Sequence, residues 1–246
     1  MKAVFIHGAC VRDGEWWWSR VAALLAAEGV ESVAVRLPSC GEADVAPGTD
    51  GPGLAADVAE TRSVLSNLGP SVVVAHSYGG VVATEAADAG DVRHLVYVDS
   101  FLPDAGESLA HFGGDGPAPY LDLAADGTFG VRVEMAQELF LHDCDSEAVA
   151  GAFARLTRQT FAVTTEPVHR AAWRTTPSTY VVCAEDRATP PAVQRAQGER
   201  AHRVVELPTG HHPMLSHPEL LAREVLTAAG GRWSASAIHG EGRHAR

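Results

Sequence analysis

The stretch VVVAHSYGGVVA, Val72 to Ala83, places one serine between two apolar runs. The first run, from Ser71 to His76, is rich in Val and has strand length. The second opens on Gly79 and Gly80 and has a helical composition. A strand that turns sharply into a helix holds one side chain at its apex, and the flanks of such a turn must be small. Here they are Ala75 and Gly79, so the pattern reads Ala-x-Ser-x-Gly. Ser77 would then stand exposed at the sheet edge, with a helix N-terminus behind it that favours developing negative charge. Serine also serves well as a plain helix N-cap, so the pentapeptide needs partners elsewhere in the chain.

Outward from this turn, apolar runs alternate with helical patterns. Ala3–His7, Ser32–Leu37, Ser71–His76, His94–Asp99, Thr179–Ala184 and Arg203–Leu207 read as strands, most of them continuous Val-rich runs as expected of strands covered on both faces. Trp17, Val21, Leu24 and Leu25 share one helical face; Leu54, Val58, Leu65 and Leu68 share another. Gly29 and Gly69 follow as stops. Strand, helix, strand in repetition predicts an α/β fold, with a mostly parallel sheet of about six strands and helices on both sides. The interval between Asp99 and Thr179 breaks the rhythm. It begins loop-rich, and EMAQELFLH and SEAVAGAFARLTRQTF then look helical. Residues 103–172 are therefore expected to form an inserted cap on a core of 1–102 and 173–229. The small, polar and basic residues 230–246 are expected to be a flexible tail.

The bulk properties narrow the function. The chain has 246 residues, 46% of them hydrophobic, enough for a full core in one domain. A net charge of −12 repels phosphate backbones and anionic membranes, so neither nucleic acid nor membrane is an expected partner. Cys10, Cys40, Cys144 and Cys183 form no CxxC pair, which points to a reduced, cytoplasmic protein. No metal site is expected, because no His pair carries the i, i+4 pattern with an acid. A homodimer is left open.

A serine nucleophile needs a base, and the base needs an acid to orient it. YVVCAEDRATPP supplies Glu185 and Asp186 at the carboxyl end of a strand. RVVELPTGHHPMLSHPELL supplies His211 and His212 after the next. The order serine, acid, histidine is that required; spacing leaves both pairs undecided. An oxyanion site needs two backbone N–H groups. Tyr78, directly after the serine, is one; Gly8 or Ala9 in FIHGAC, after the first strand, offers the other.

With these pieces in place, the chain resembles α/β-hydrolases of the group that contains plant methyl salicylate-type esterases, hydroxynitrile lyases and their bacterial esterase relatives. FIHGACVRDGEWWW, VVVAHSYGGVVA, YVDSFLPDAGES, STYVVCAEDRATPP and PTGHHPMLSHPELLA carry the likeness, from Phe5 to Ala222. The resemblance implies a triad of Ser77, Asp186 and His211, and Ala9 as the first oxyanion donor. It also places Phe101 in the acyl pocket, with no cofactor. His76 and His212 are candidates to border a small-molecule ester substrate. In the lyases a lysine follows the catalytic histidine and a threonine lies in the first loop; here those places hold His212 and Gly8. A largely neutral imidazole is a poor substitute for the positive group that holds cyanide, so hydrolysis is expected over lyase chemistry. Non-hydrolytic biosynthetic chemistry and a ligand-binding receptor on the same fold remain further readings.

Other residues have plainer expectations. His7 is expected to be structural and His217 to start a helix. Trp16, Trp17 and Trp18 are expected in core and helix packing. Phe140, Phe153 and Phe161 either close over a substrate or pack the cap.

Overall fold

The computed structural model describes residues 1–114 and 116–231; the expected flexible tail beyond 231 lies outside the described residues. In chain order the elements are β1 (Lys2–Ile6), α1 (Gly14–Ala27), β2 (Ser32–Ala34), α2 (Leu54–Ser66), β3 (Ser71–His76), α3 (Gly79–Ala86) and β4 (Val92–Val98). Then come β5 (Leu121–Leu123), β6 (Thr128–Val131), α4 (Val133–Phe140), α5 (Ser146–Phe153) and β7 (Gln159–Thr160). The chain closes with β8 (Ser178–Cys183), α6 (Pro191–Gly198), β9 (Arg203–Leu207), α7 (Pro213–Ser216) and α8 (Pro218–Ala228). No helix among the described residues is long and apolar enough to cross a membrane.

The main sheet has the order β2-β1-β3-β4-β8-β9, and every neighbouring pair is parallel. All six expected strands are present. The side chains of the inner strands alternate between two apolar layers, as the pleat requires, while the edge strand β9 is largely exposed. Val4, Ile6, Val73, Ala75, Leu95 and Tyr97 pack with Leu54, Val58 and Leu65 of α2 and with Val81 and Val82 of α3. Ala3, Phe5, Val72, Val74, Val96 and Val98 pack on the other face with Trp18, Val21 and Leu25 of α1 and Leu221 and Val225 of α8. Trp18 lies flat on Phe5, ring centroids 4.6 Å apart. This double burial is why the strands read as unbroken apolar runs.

The strand order reverses between β1 and β3. From β1 the chain proceeds outward to β2, and from β3 it proceeds the other way to β4. Loops leaving the carboxyl ends of β1 and β3 therefore diverge and leave a crevice, the place where open α/β sheets bind ligands. Gly8 and Ala9 follow β1, and Ser77 follows β3.

Two expectations need correction. The second strand ends at Ala34 rather than Leu37, because at the sheet edge only β1 can pair with it. The helix expected across SEAVAGAFARLTRQTF stops at Phe153. Beyond it the chain is drawn away to the first loop: Val11 bridges Leu156, and Thr157 N–H donates to the Cys10 carbonyl at 2.9 Å. It then joins an antiparallel sheet, β5-β6-β7, that periodicity did not reveal. Its strands are two to four residues long, too short for an alternation to register. Arg158 braces it, with Nη1 2.7 Å from Asp122 Oδ2 and Nη2 donating to the Asp122 carbonyl at 3.0 Å.

Candidate active site

Ser77 has φ of 51°, in the left-handed region that a residue other than glycine rarely adopts. Its N–H donates to the Val98 carbonyl at 3.2 Å, and Ser100 Oγ donates to its carbonyl at 2.6 Å, so β4 fixes the turn from the side. The two glycines that follow are forced by contact. A Cβ on Gly79 would lie 2.7 Å from the carbonyl oxygens of Ile6 and His7, and one on Gly80 only 2.0 Å from Ser100 Oγ. The start of α3 is thus pressed onto β1 and the end of β4. Its neighbours His76 and Tyr78 are buried while Ser77 is partly exposed.

Ser77 opens onto a cavity of about 690 Å³, lined also by Gly8, Ala9, His76, Tyr78, Phe101, His211 and His212. Of the residues singled out from sequence for the triad, oxyanion site and substrate wall, Asp186 and its alternative Glu185 are not at this wall. Asp186 sits behind it, 5% exposed, with Oδ2 2.9 Å from Nδ1 of His211. Glu185 is exposed, so the pair left undecided by spacing is separated by direction. The N–H groups of Ala188 and Thr189 donate to Asp186 Oδ1 at 2.7 and 3.2 Å, and Gln194 Nε2 donates to Oδ2 at 3.0 Å. Burial works against its charge, yet the His211 cation, a hydrogen bond from Asp99 and the Ala188 N–H hold its carboxyl well below the usual range.

A second carboxyl meets the same ring. Asp99, at the end of β4 with φ of 42°, is fully buried and contacts His211 Nδ1 through Oδ2. Burial pushes Asp99 far above the ordinary carboxylate range. Burial alone would lower the His211 pKa, but Asp186 and Asp99 overcome it and raise it to about 10. Sequence reading passed over Asp99 as the last residue of a strand.

The buried imidazoles of His76, His211 and His212 meet in one corner, edge-on or tilted, with ring centroids 4.8 to 4.9 Å apart. His76 Nε2 hydrogen-bonds to the His211 carbonyl at 2.9 Å, and His212 Nδ1 to the Phe140 carbonyl at 2.9 Å. These carbonyls accept only, so both rings carry their proton there. Burial and then the His211 charge bring the His212 pKa down to about 3, so this ring is neutral.

The first loop is held by a buried polar chain that sequence did not suggest. Tyr78 Oη donates to Asp57 Oδ2 at 2.7 Å, Ser39 Oγ donates to the same oxygen at 2.6 Å, and Ser39 N–H donates to Oδ1 at 2.9 Å. Gln159 Nε2 donates to Ser39 Oγ at 2.8 Å, and Cys10 N–H donates to Gln159 Oε1 at 3.1 Å. The chain links Tyr78 to the residue after Ala9. Among the described residues, no backbone or side-chain acceptor takes the N–H of Ala9 or of Tyr78.

The remaining expectations divide. His7 is structural, bonded through Nε2 to Glu42 Oε2 at 2.8 Å, and His217 stands at the start of α8, in the N-cap position but with no side-chain capping bond. Trp18 is core, but Trp17 also lines the cavity, its ring 4.9 Å from that of His212. Phe140 and Phe161 line the cavity; Phe153 packs instead against the apolar layer on the α1 and α8 side of the sheet. Tyr120, unremarked in the sequence, lines it too and meets Phe140 edge-on at 5.1 Å.

A doubly covered parallel sheet, with a strained serine at its switch point and a buried acid behind a histidine, defines the alpha/beta hydrolase class, and the chain belongs to the alpha/beta hydrolase family, whose model matches residues 3–224. It is similar to the alpha/beta hydrolase nvfD of Aspergillus novofumigatus, 29% identical over 81% of this chain and 86% of that protein. Methylesterase 9 of Arabidopsis thaliana is 26% identical over 92% of this chain and 97% of its own length. Among solved structures, a pyrethroid hydrolase from Sphingobium faniae JZ-2 superposes with a TM-score of 0.80 at 24% identity, covering 94% of this chain and 97% of that one.

Proposed function

We propose that this hydrolase is a serine esterase that cleaves carboxylic esters of apolar or aromatic substrates through an acyl-enzyme. The observation that carries the reading is Ser77, held at positive φ on the wall of a cavity that His211 shares, with Asp186 bonded to the far side of that imidazole. In this reading His211 takes the proton of Ser77 Oγ as the oxygen attacks the ester carbonyl. Asp186 keeps the Nδ1–H tautomer and stabilises the cation. The N–H groups of Ala9 and Tyr78 receive the oxyanion. His211 returns its proton to the leaving alcohol, then activates water, and hydrolysis of the acyl-serine frees the acid.

The cavity supports the substrate class. Phe101, Phe112, Tyr120, Phe129, Phe140 and Phe161 are among its lining residues, and its volume suits an ester with a bulky acyl or alcohol part. Much of that lining comes from residues 103–172, which we take as the specificity cap. A methylesterase and a pyrethroid hydrolase are among the proteins to which the chain is similar, which agrees with hydrolysis of an ester. Neutral His212 argues against lyase chemistry, which needs a cation beside the leaving cyanide. The four unpaired cysteines suit a reducing, cytoplasmic setting.

The test is labelling with a fluorophosphonate followed by peptide mass mapping, together with turnover of a panel of p-nitrophenyl esters. Adduct on Ser77 and turnover of aromatic or medium-chain esters are expected. Adduct elsewhere, or no ester turnover in a folded protein, would overturn the reading.

A further inference from the structure

We propose that Asp99 is a second positioning acid for His211. With Asp186 it forms a carboxyl pair that carries one proton and one negative charge, and it takes over the orienting role when Asp186 is neutralised. The inference rests on the reading of Ser77, Asp186 and His211 as a triad.

Three observations lead to it. First, Asp99 Oδ2 and Asp186 Oδ2 both contact the same nitrogen, His211 Nδ1, and one oxygen of each carboxyl lies within 4.8 Å of the other and of the ring. Second, the two acids are provided for unequally. Asp186 accepts from His211, two backbone N–H groups and Gln194. Asp99 receives no well-aligned hydrogen bond from any described residue, and both its oxygens are sealed from solvent. A buried carboxylate without donors does not keep its charge; it holds its proton instead. Two carboxyls around one imidazole also disfavour each other's ionisation. Third, Asp99 is held in place at positive φ, its N–H donating to the Val181 carbonyl at 2.9 Å. It stands at the carboxyl end of β4, between Ser77 after β3 and Asp186 after β8.

Asp186 is therefore the ionised member and Asp99 the protonated one, its O–H directed at the Asp186 carboxylate. If Asp186 becomes Asn, the single negative charge moves to Asp99: its proton leaves to water, and its carboxylate accepts from His211 Nδ1–H. The net charge facing the imidazole is unchanged. The other titratable groups facing Asp99 are Tyr180, Tyr120 and Cys183; burial raises the pKa of all three, so each is neutral.

The experiment measures kcat and KM on one p-nitrophenyl ester, against pH, for wild type, Asp99→Asn, Asp186→Asn and the double variant. Folding is checked by circular dichroism, and the low-field proton resonance of His211 Nδ1–H is followed by NMR. A lone triad acid is worth about 10⁴-fold in kcat. The expected loss in Asp186→Asn is under about 100-fold, with KM little changed, the low-field resonance kept and the pH midpoint near that of wild type. The double variant should fall by about 10⁴, lose the resonance and shift its midpoint down. An Asp186→Asn loss already as large as 10⁴ would overturn the role of Asp99 and leave the triad standing; this arm needs no variant at Asp99. Collapse of Asp99→Asn alone with a mild Asp186→Asn would make Asp99 the sole acid and also overturn the shared pair. High activity in the double variant would instead remove the triad reading itself.

Discussion

Tyr78 and Asp57 meet across 2.7 Å in the protein interior, the phenol donating to a carboxylate that also takes both donors of Ser39. The contact joins the residue after the strained serine to α2, and through Ser39 and Gln159 to Cys10 in the first loop. Both proposed oxyanion donors, Tyr78 and Ala9, thus belong to segments anchored on one buried network. Replacing Asp57 by Leu would leave the Tyr78 hydroxyl, the Ser39 hydroxyl and the Ser39 N–H without their acceptor. Each such group costs about 1–3 kcal/mol, so a total of about 3 kcal/mol or more is expected, measured as a fall in the urea midpoint. Esterase kcat should drop as well, with KM less affected. A stable Asp57→Leu protein with full kcat would refute the anchoring role.

Ser77→Ala should abolish ester turnover, by about 10⁴-fold or more if the three residues act as a unit. Stability should stay the same or rise, because the side chain is partly exposed and the strain at φ of 51° belongs to the backbone. Retention of most activity in the folded variant, measured on the same ester, would remove Ser77 from the mechanism.

The neighbouring histidines should separate cleanly. His211→Ala removes the base and should leave an inactive protein. His212→Ala keeps the Asp186–His211 contact and should act mainly on KM and ester preference, since that ring packs between Trp17 and His76 on the cavity wall. Assaying both variants on short and aromatic esters decides the matter. Activity lost in His212→Ala and kept in His211→Ala would reverse the assignment.

Activity and stability should move in opposite directions with pH. The base works only when neutral, and His211 is raised above its ordinary value, to about 10, with burial outweighed by Asp186 and Asp99. The kcat/KM profile should therefore rise with pH, its midpoint on the alkaline side of about 6.5. A raised folded-state pKa gives stability that is complete below the unfolded value, about 6.5, and is lost as pH climbs through the folded one. The depressed Asp186 contributes above its unfolded pKa, about 3.9, and its share is lost as pH falls through the lowered folded value. The pair thus stabilises most between about pH 4 and 6.5. Thermal melts of wild type and His211→Ala across pH 5 to 10 should converge as pH rises. A constant difference, or a kcat/KM midpoint below 6.5, would contradict this assignment.

Residues close together in the chain determined much of this protein on their own. The unbroken runs at β1, β3 and β8 follow from burial on both faces, the alternation with helices makes a parallel sheet, and Ala75-His76-Ser77-Tyr78-Gly79 marks the turn into α3. These features repeat over a few residues, so a period or a short motif carries them. Only the tertiary structure decided what depends on direction or on distant partners. Glu185 and Asp186 are adjacent, yet one is exposed and the other reaches His211, 25 positions away. Cys10 finds Gln159 across 149 positions, and Asp99 reaches the same imidazole as Asp186 although it ends a different strand. The small sheet β5-β6-β7 belongs here too, its strands being too short to show a period. Such contacts arise from register and from the crossing of strands at the carboxyl edge of the sheet, and local composition holds no record of either.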